Sequence, residues 1–514
     1  MSGRFEINFV GHACVKITVG GLRILTDPWL EGPAYSRQWY PYPLPDRSLR
    51  IDDVHYIHYS HGHEDHLHQG TFHLLPKTAT VLLTRQWFPG NVEWLKSEGF
   101  ETVREIPSGR WTTISDPSTS DTVRCVNLVN RSDSLSIMLT DREALVNVND
   151  ALHCYDEPCI DYYCRRIQSL LAGRSIDYLF CGFGGASYFP NCLRHPRKDD
   201  VQVAIARERH LAQGFARVVR NLQPRMAFAF ASGLVLLDPF NSWINEIKLS
   251  NDPAAVTEQQ LPSMRGRVFK LLPGDRIASG QLTRKSSDRS VEEHVAEYQR
   301  IYADEIELKK TRPMISDEAA RQLLQRIGSH FEQRLKQVRS NGLVFDWAIR
   351  LRDCPEAVLR LSRQDGAFQC EMLPLECLTE VRDMVVEANS EILMAGLDSM
   401  WGGDSLQIGY GGIFYLRSQA SVSDNHSRQF LRLATQLPMQ SDYLRLSPIR
   451  GIEHLLRSPY LMREALRIAA SKVHLRSLDS SAGRLEAVET NRWIDAPKCA
   501  GCPVCDVPAT DRCV

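Results

Sequence analysis

The sequence predicts an α/β protein with a second, smaller α+β unit behind it. Short apolar segments alternate with segments of helical spacing over roughly the first 280 residues, which is typical of a sheet flanked by helices. A polar segment, residues 283–290, is the best candidate for a linker. Beyond it the predicted order is a long helix, three strands and a helix. A Pro- and Cys-rich tail begins at Ile494. We therefore predict domains at 1–282 and 291–450, and a helical extension with the Cys-rich tail at 451–514.

Composition excludes several classes of protein. The 514 residues include 61 Lys and Arg against 62 Asp and Glu, so the net charge of −1 argues against a nucleic-acid binder that works by bulk positive charge. The sequence holds no apolar segment of the length that spans a bilayer, and charges interrupt the start of the chain where a signal peptide is apolar. The 14 Cys are mostly scattered singly, which suits a reducing compartment. We expect a cytoplasmic protein without a membrane or nucleic-acid partner.

The elements of the first unit follow from short β-branched and aromatic segments. Gly20-Gly21 separates two of them as a hairpin turn does, and Asp27-Pro28 ends the next one. The predicted strands are Phe5–Val10, Cys14–Val19, Leu22–Thr26, Val54–Tyr59, Ala79–Thr84, Leu135–Leu139, Ala144–Val148 and Met226–Phe230. The predicted helices are Cys159–Leu171 and Ala204–Leu222.

The second unit begins with a long amphipathic segment. Apolar residues recur at helical spacing over Ser316–Val338, with Ser316 at the N-cap position and Gly342 just past the end. The segments that follow predict three strands and a helix. They are Val344–Leu351, Ala357–Leu361 and Phe368–Leu373 as strands, and Leu378–Leu397 as a helix.

The most informative segment is a cluster of metal-ligand residues directly after a predicted strand. It reads His61-Gly-His63-Glu-Asp65-His66. Alternation lets the first two imidazoles share one cation, and the last two side chains can reach a second cation beside it. Burying four such groups is costly unless a bound metal pairs them and keeps the imidazoles neutral. The alternative is a polar surface loop that happens to contain histidine.

This pattern resembles the His-x-His-x-Asp-His signature of the metallo-β-lactamase fold superfamily. The segments 11–17 and 25–29 are similar to the first strands of its small-molecule hydrolase branch. The resemblance implies an αββα sandwich. It also implies metal-ligand roles for His61, His63, Asp65 and His66, and a bridging role for Asp150 at the end of a later strand. The alternative for Asp150 is a turn residue or a helix cap.

Two histidines of that family's pattern have no counterpart here. The superfamily places a third ligand of the first metal just before the strand near Ser134, but residues 127–133 contain no His. It places the last ligand of the second metal after a late strand, but residues 231–238 also lack His. The candidate substitutes are Asn130, Asp133 and Asp238, with His153 as a nearby spare. A site poorer in imidazole and richer in carboxylate suits iron, especially where oxygen is activated.

More of the chain resembles one branch, the CMP-N-acetylneuraminate monooxygenase family. The similar segments are residues 24–33, 183–190, 219–225 and 272–275, with a weaker similarity at 406–409. The resemblance implies an iron-dependent hydroxylase. That family carries an N-terminal Rieske domain, whereas this sequence opens on the hydrolase-like strands, so we expect its electrons to arrive by another route. The alternative is a shared fold without shared chemistry.

The C-terminal tail offers such a route. Cys499, Cys502 and Cys505 form a C-x2-C-x2-C run, with Cys513 as a fourth thiol. This run is similar to the cluster-binding run of bacterial ferredoxins, although the fourth Cys lies farther away and no Pro follows it. We predict an iron–sulfur cluster there; structural zinc and a cofactor-free tail are the alternatives.

The predicted function is a non-haem di-iron monooxygenase. It would insert one atom of O2 into a C–H bond of a small molecule, such as a nucleotide sugar or a secondary-metabolite intermediate. Asp65 and Asp150 are the predicted catalytic carboxylates, His12 and Asp27 are candidates to support them, and a ferredoxin-type protein is the predicted electron donor. The first alternative is a dinuclear zinc or manganese hydrolase of a phosphoester, lactone or amide. The second is a binding protein that kept the fold.

Overall fold

The structure is a computed structural model. It describes residues 3–434 except 85–90, 116–117, 119, 131–132, 185–192, 195–198, 338–343, 399–401, 418–429 and 432. The predicted extension 451–514 and its four cysteines, Cys499, Cys502, Cys505 and Cys513, therefore lie outside the described residues. In the described part of the chain, no helix has the length and apolar character needed to cross a membrane.

Two twisted sheets form the first unit. The strands of the first sheet are β1 (Glu6–Gly11), β2 (Cys14–Val19), β3 (Leu22–Thr26), β5 (Tyr56–Tyr59), β6 (Thr80–Thr84), β7 (Val103–Ile106), β17 (Arg276–Ala278) and β18 (Gln281–Thr283). Their spatial order is β18–β17–β1–β2–β3–β5–β6–β7. A separate two-stranded sheet pairs β4 (Trp39–Pro41) with β15 (Leu234–Leu236).

The second sheet lies against the first. Its strands are β8 (Thr112–Ser115), β9 (Thr122–Asn130), β10 (Asp133–Leu139), β11 (Ala144–Asn149), β12 (Tyr178–Gly182), β14 (Met226–Phe230) and β16 (Val268–Lys270). Their spatial order is β16–β14–β12–β11–β10–β9–β8. Side chains of both sheets meet in one buried cluster, where Ile7 and Ile17 of the first sheet join Phe180 and Phe228 of the second. Apolar burial between the two inner faces is the main force that holds the sheets together.

Helices cover the outer faces of both sheets. The helices of the described residues are α1 (Asn91–Ser97), α2 (Glu157–Leu171), α3 (Asp200–Leu222), α4 (Ile244–Leu249), α5 (Pro253–Gln260), α6 (Val291–Ile301), α7 (Ala303–Lys310), α8 (Asp317–Gln337), α9 (Ser390–Asp398) and α10 (Gly402–Leu406), with 3-10 turns at Gln69–Leu74, Pro262–Met264 and Leu375–Glu380. Helices α2 and α3 pack on the second sheet, and α1 packs on the first. The predicted αββα sandwich is therefore confirmed.

Helix α2 illustrates how local sequence sets the boundaries of an element. The side chain of Asp156 accepts a hydrogen bond from the backbone N–H of Cys159, which satisfies one of the free donors of the first turn. Pro158 fits that turn because its missing N–H would have no partner there. The helix ends at Ala172, whose backbone is left-handed.

The second unit is built on a third sheet. Its strands are β13 (Leu193–Arg194), β19 (Phe345–Leu351), β20 (Val358–Gln364), β21 (Ala367–Leu373), β22 (Met384–Ala388) and β23 (Gly412–Leu416), in the spatial order β13–β23–β22–β19–β20–β21. Helix α8 buries Leu324, Ile327 and Phe331 in the same apolar cluster as Trp347 of β19. The predicted long helix and the three predicted strands of this unit are all present.

The prediction of one helix over Leu378–Leu397 is wrong. The structure has a 3-10 turn, the strand β22 and then helix α9 in this segment. Val385 and Val386 are β-branched and buried, and β22 pairs with β19 on one side and β23 on the other. Apolar residues on both faces of a short central strand give no clear period of two, so this strand could not be distinguished from a helix by spacing.

The two units share elements. Strand β13 comes from the first 282 residues, yet it pairs in parallel with β23 of the third sheet. Helices α6 and α7 follow the polar segment 283–290, yet Tyr298 and Tyr302 pack with Tyr40 of the first unit. By these contacts, helices α6 and α7 belong with the first unit, and the second unit begins with α8. The predicted domain limits stay a prediction.

Candidate metal centre

The His-rich loop lies at the carboxyl end of a central strand. Strand β5 ends at Tyr59 and runs parallel to its neighbours β3 and β6, so the residues that follow all three strands emerge at one edge. Strand β11 of the second sheet also ends at this edge, just before Asp150. His61, Asp65 and His66 are buried there. The local fold thus brings ligand-type side chains from both sheets to one place.

Among the described residues, three overlapping groups of side chains could each hold a cation. In each group the ligand atoms lie within 4.8 Å of one another. The groups are His61, His63 and Asp133; His61, His66 and Asp150; and His12, Asp65 and His66. These groups include all five ligands that the resemblance implies, which are His61, His63, Asp65, His66 and Asp150. They also include Asp133, one of the predicted substitutes for a missing histidine.

The distances within these groups are short. The Nε2 atom of His61 lies 2.8 Å from the Nδ1 atom of His63 and 3.7 Å from a carboxylate oxygen of Asp133. The Nε2 atom of His66 lies 3.1 Å from Asp150 and 3.4 Å from Asp65. Two sets of ligand atoms, one around His61 and one around His66, are therefore adjacent.

The electrostatics of the two imidazoles differ. Burial lowers the pKa of His61 well below its usual value, and the neighbouring His66 and His63 add to this. A neutral imidazole is the form that binds a metal. Burial acts to lower the pKa of His66. The carboxylates of Asp65, Asp150 and Asp27 outweigh burial and raise this pKa well above its usual value. A cation at His66 would replace that proton and neutralise the same carboxylates.

Unpartnered buried atoms also fit bound cations. The Oδ1 atom of Asp150 and the Nδ1 atom of His153 are buried without a hydrogen-bond partner. A side chain at Gly182 would place its Cβ 2.8 Å from each of these two atoms, so both face the same small space. Orphaned polar atoms of this kind carry a desolvation cost that a cation would remove. The donor set of imidazole nitrogens and carboxylate oxygens suits transition-metal ions.

Other polar side chains hold the candidate ligands in place. The hydroxyl of Tyr35 donates to Asp65 at 2.5 Å, and His12 meets the other oxygen of Asp65 at 3.0 Å. The hydroxyl of Tyr155 donates to Asp133 at 2.9 Å. Such contacts fix the orientation of a ligand, which leaves less disorder to be lost when a cation binds.

The remaining predicted substitutes lie elsewhere. Asp238 accepts a hydrogen bond from the ammonium of Lys309 at 2.6 Å and belongs to none of the three groups. The amide of Asn130 donates to the carbonyl of Ala151 at 2.6 Å and is also in none of them. The predicted role of Asp238 as a ligand is therefore not supported by its position, because its charge is already paired with Lys309.

Two acidic residues near the centre were not predicted from the sequence. Burial raises the pKa of Glu64 to about 7, with the charges of Asp65 and Asp404 adding to the shift. Burial also raises the pKa of Asp404, and the side chains that act on it are His63 and Asp65. Asp404 belongs to helix α10 of the second unit, so no local signal in the sequence connects it with the His-rich loop.

Comparisons with known proteins agree with the resemblance seen in the sequence. Residues 6–120 match the model of the beta-lactamase superfamily domain. The chain is 26% identical over 275 residues to the cytidine monophosphate-N-acetylneuraminic acid hydroxylase of Danio rerio, which covers 50% of this chain and 43% of that protein. This chain spans about half the length of the curated relatives it matches. The predicted resemblance to both groups is confirmed.

Two solved structures match about half of the chain with low identity. CmlA, a diiron beta-hydroxylase from Streptomyces venezuelae, matches with 17% identity and a TM-score of 0.36, covering 55% of this chain and 54% of that one. An isothiocyanate hydrolase from Delia radicum gut bacteria matches with 10% identity and a TM-score of 0.35, covering 53% of this chain and 98% of that one.

Proposed function

We propose that this protein is a hydroxylase that uses two iron ions. The observation that carries the proposal is the pairing of His61 and His63 with the carboxylate of Asp133, where the hydrolytic branch of the fold has a third imidazole. Oxygen-rich ligand sets suit iron in enzymes that use O2. The similarity to cytidine monophosphate-N-acetylneuraminic acid hydroxylases supports the same chemistry.

The residues divide into two sets around the two ions. His61, His63 and Asp133 would hold one ion, and His66 with Asp65 would hold the other, with Asp150 between them. Bound iron would transfer electrons to O2 and so allow its reduction. The chain itself orients the ligands, keeps water out of a buried site and positions the C–H bond that reacts.

The reaction balances with two electrons and two protons. One oxygen atom of O2 enters the C–H bond to give an alcohol, and the other leaves as water. A ferredoxin-type protein is the proposed electron donor. The cluster predicted at Cys499, Cys502, Cys505 and Cys513 stays a prediction, since those residues lie outside the described part of the chain.

The proposed substrate is a small organic molecule. The names of the curated relatives point to a nucleotide-linked sugar, and cytidine monophosphate-N-acetylneuraminic acid is the first compound to test.

A metal-dependent hydrolase is the second candidate function. The match of residues 6–120 to the beta-lactamase superfamily domain favours it, because two cations held by such ligands can activate a water molecule near neutral pH. In that case zinc or manganese would replace iron, and the substrate would be a phosphoester, lactone or amide.

Isotope labelling separates the two functions. Iron-loaded protein would be incubated with the sialic acid nucleotide and a reduced ferredoxin under ¹⁸O2, with the products analysed by mass spectrometry. The proposal expects one ¹⁸O atom in the product, and none when His63→Ala protein is used. A parallel incubation uses unlabelled O2 in ¹⁸O-labelled water. If the product takes its oxygen from that water, at a rate independent of reductant, the reaction is a hydrolysis.

A further inference from the structure

His12, which contacts Asp65 of the His-rich loop, also lines a cleft. About 60 Å³ of it is accessible to the centre of a water-sized molecule, within about 690 Å³ of space that includes the open mouth. Its walls are largely apolar and include Phe9, Phe183, Phe230 and Leu249. The Nε2 atom of His12 in this wall lies 3.0 Å from Asp65. One side chain therefore separates this cleft from the candidate metal centre.

Two lysines line the same cleft, and the ammonium of Lys270 lies 5.8 Å from the centre of the Phe183 ring. The side chain of Lys248 belongs to a residue only 8% exposed, and Lys270 is half-buried beside it. In the part of the chain that the structure describes, neither ammonium forms a hydrogen bond or an ion pair. The Oε2 atom of Glu208, which also lines the cleft, instead accepts from the amide of Asn251 at 3.2 Å.

Two ammonium groups without a hydrogen bond or an ion pair in one largely apolar cleft are unfavourable. Burial removes part of the water around each, and each repels the other. Burial lowers the pKa of both lysines, and the charge of Lys248 contributes to the lowering at Lys270. The charges of Glu208 at Lys248 and of Asp288 and Asp252 at Lys270 act against this lowering. Elsewhere in this protein a buried lysine has a partner, since Lys309 pairs with Asp238 at 2.6 Å. Among the described residues, however, no carboxylate forms an ion pair with either lysine of the cleft as Asp238 does with Lys309.

We propose that the cleft binds an organic anion through Lys248 and Lys270, with the rest of that molecule reaching past the apolar walls toward His12. The anionic group is a carboxylate or a phosphate, and the molecule that carries it is the substrate of the candidate metal centre. That the bound molecule is the substrate rests on the proposed function. The existence of the anion-binding site is inferred from the cleft alone. The apolar walls and the two cations together select anions with an apolar part over small inorganic ions.

Binding of simple probes tests the site directly. Phenyl phosphate and benzoate carry the two anionic groups, and benzamide is a neutral control of similar shape. Isothermal titration calorimetry on the full chain should detect at least one of the anions, with benzamide binding at least about tenfold more weakly. The tighter of the two anions identifies the anionic group. Equal binding of benzamide and both anions would overturn the proposal.

Substitution of the lysines gives the second test. Lys248→Met and Lys270→Met should each weaken binding of the anion by about tenfold to hundredfold, whereas Lys248→Arg should retain most of it. Lys96→Met, which removes an exposed lysine outside the cleft, is the matched control and should bind as the unmodified protein does. Wild-type affinity in both methionine variants would contradict the proposal.

Stability and metal content separate this site from a structural role. Replacing an unpaired buried ammonium by an apolar side chain of similar length should leave the melting temperature of the free protein unchanged or raise it. Phenyl phosphate or benzoate should raise that temperature in the unmodified protein but not in Lys248→Met. A large drop in the melting temperature of the free variant would assign Lys248 a structural role and overturn the proposal. Metal content should be the same in all variants, so absence of iron would count against the proposed function and not against the cleft.

Discussion

Asp27 lies behind the candidate ligands and accepts hydrogen bonds from several directions. The backbone N–H of Ser60 donates to it at 2.7 Å, the hydroxyl of Ser60 donates at 2.8 Å, and the amide of Asn149 donates as well. Its Oδ2 atom lies 3.4 Å from the Nδ1 atom of His66. Because one nitrogen of that ring faces Asp27, the other faces Asp150 and Asp65. The sequence suggested a supporting role for Asp27, and these contacts supply its physical basis.

The carboxylate of Asp133 is the residue whose assignment can be tested most sharply. Asp133→Asn keeps an acceptor for Tyr155 but removes the negative charge beside His61 and His63, so we expect the loss of about one of two bound ions. Asp238→Asn is the matched control, because its partner is Lys309 and its metal content should not change. Metal analysis of both folded variants provides the measurement. Loss of metal from the Asp238 variant alone would reverse the assignment.

His68 makes stability depend on pH. Burial lowers the pKa of this imidazole to about 4, and the neutral ring lies 2.9 Å from the Thr71 hydroxyl and 3.2 Å from the carbonyl of Pro33. The unfolded chain takes up a proton near pH 6.5, whereas the folded protein does not, so stability is lost as pH falls through this range. The loss is at most about 1.4 kcal/mol per pH unit.

The variant His68→Gln tests this dependence. Urea unfolding at several pH values between about 7 and 5 should show a flatter pH dependence in the variant than in the unmodified protein. The same metal concentration in all samples keeps the titration of the metal ligands common to both. An identical slope in the two proteins would mean that His68 is protonated as easily in the fold as in the unfolded chain.

At the scale of elements, a short segment before the metal centre has an unusual backbone. Tyr35, Ser36 and Arg37 are consecutive residues with positive φ angles of 55°, 54° and 62°. None is glycine, so each carries a steric cost of about 1–2 kcal/mol. Two contacts made in this conformation help to offset the cost: Tyr35 donates to Asp65, and Arg37 donates to Glu305 of helix α7 at 2.6 Å. Strain of this kind is common beside functional sites.

Helix α6 depends on a capping box at its first turn. The Ser290 side chain accepts from the backbone N–H of Glu293 at 3.2 Å, and the Glu293 carboxylate accepts from the backbone N–H of Ser290 at 2.8 Å. Ser290→Ala should therefore lower the free energy of unfolding by about 1 kcal/mol. Ser287→Ala, an exposed residue of the preceding loop, is the control. Equal denaturant midpoints for the two variants would show that the box does not contribute.

The elements that the sequence predicted correctly are those with a clear local signal. Strands β2 and β3 were predicted with their observed limits because Gly20-Gly21 marks the turn between them. The segment that became β22 was predicted as helix because its partners, β19 and β23, are brought to it by the fold. Pairing between distant strands leaves no mark in a window of ten to twenty residues.

At the scale of the whole molecule, the second unit completes the surroundings of the metal centre. The hydroxyl of Ser36 lies 2.9 Å from that of Ser405, and Tyr410 packs in the same buried cluster as Tyr35 and Trp39. Sequence patterns predicted the ligand loop because its six residues are adjacent. They could not predict Tyr35 or Asp404 as neighbours of that loop, because Tyr35 is 30 residues from Asp65 along the chain and Asp404 belongs to the second unit.

Gly409 controls how closely the two units approach. A Cβ atom at this position would lie 2.7 Å from the Cβ of Tyr35 and 2.8 Å from the carbonyl oxygen of Ser405. Gly409→Ala should destabilise the protein by about 1–3 kcal/mol and displace the Tyr35 hydroxyl from Asp65. We expect weaker metal retention during dialysis against a chelator. Tyr35→Phe removes only the hydroxyl and should show the metal effect with a smaller loss of stability.

We propose that the His-rich loop, Asp133 and Asp150 hold a pair of iron ions. Elemental analysis of protein purified without added metal tests this most directly, together with the visible absorption spectrum before and after a reductant is added. We expect two iron ions per chain and an absorption band that the reductant bleaches. Stoichiometric zinc without iron, or an active protein that binds no metal, would contradict it.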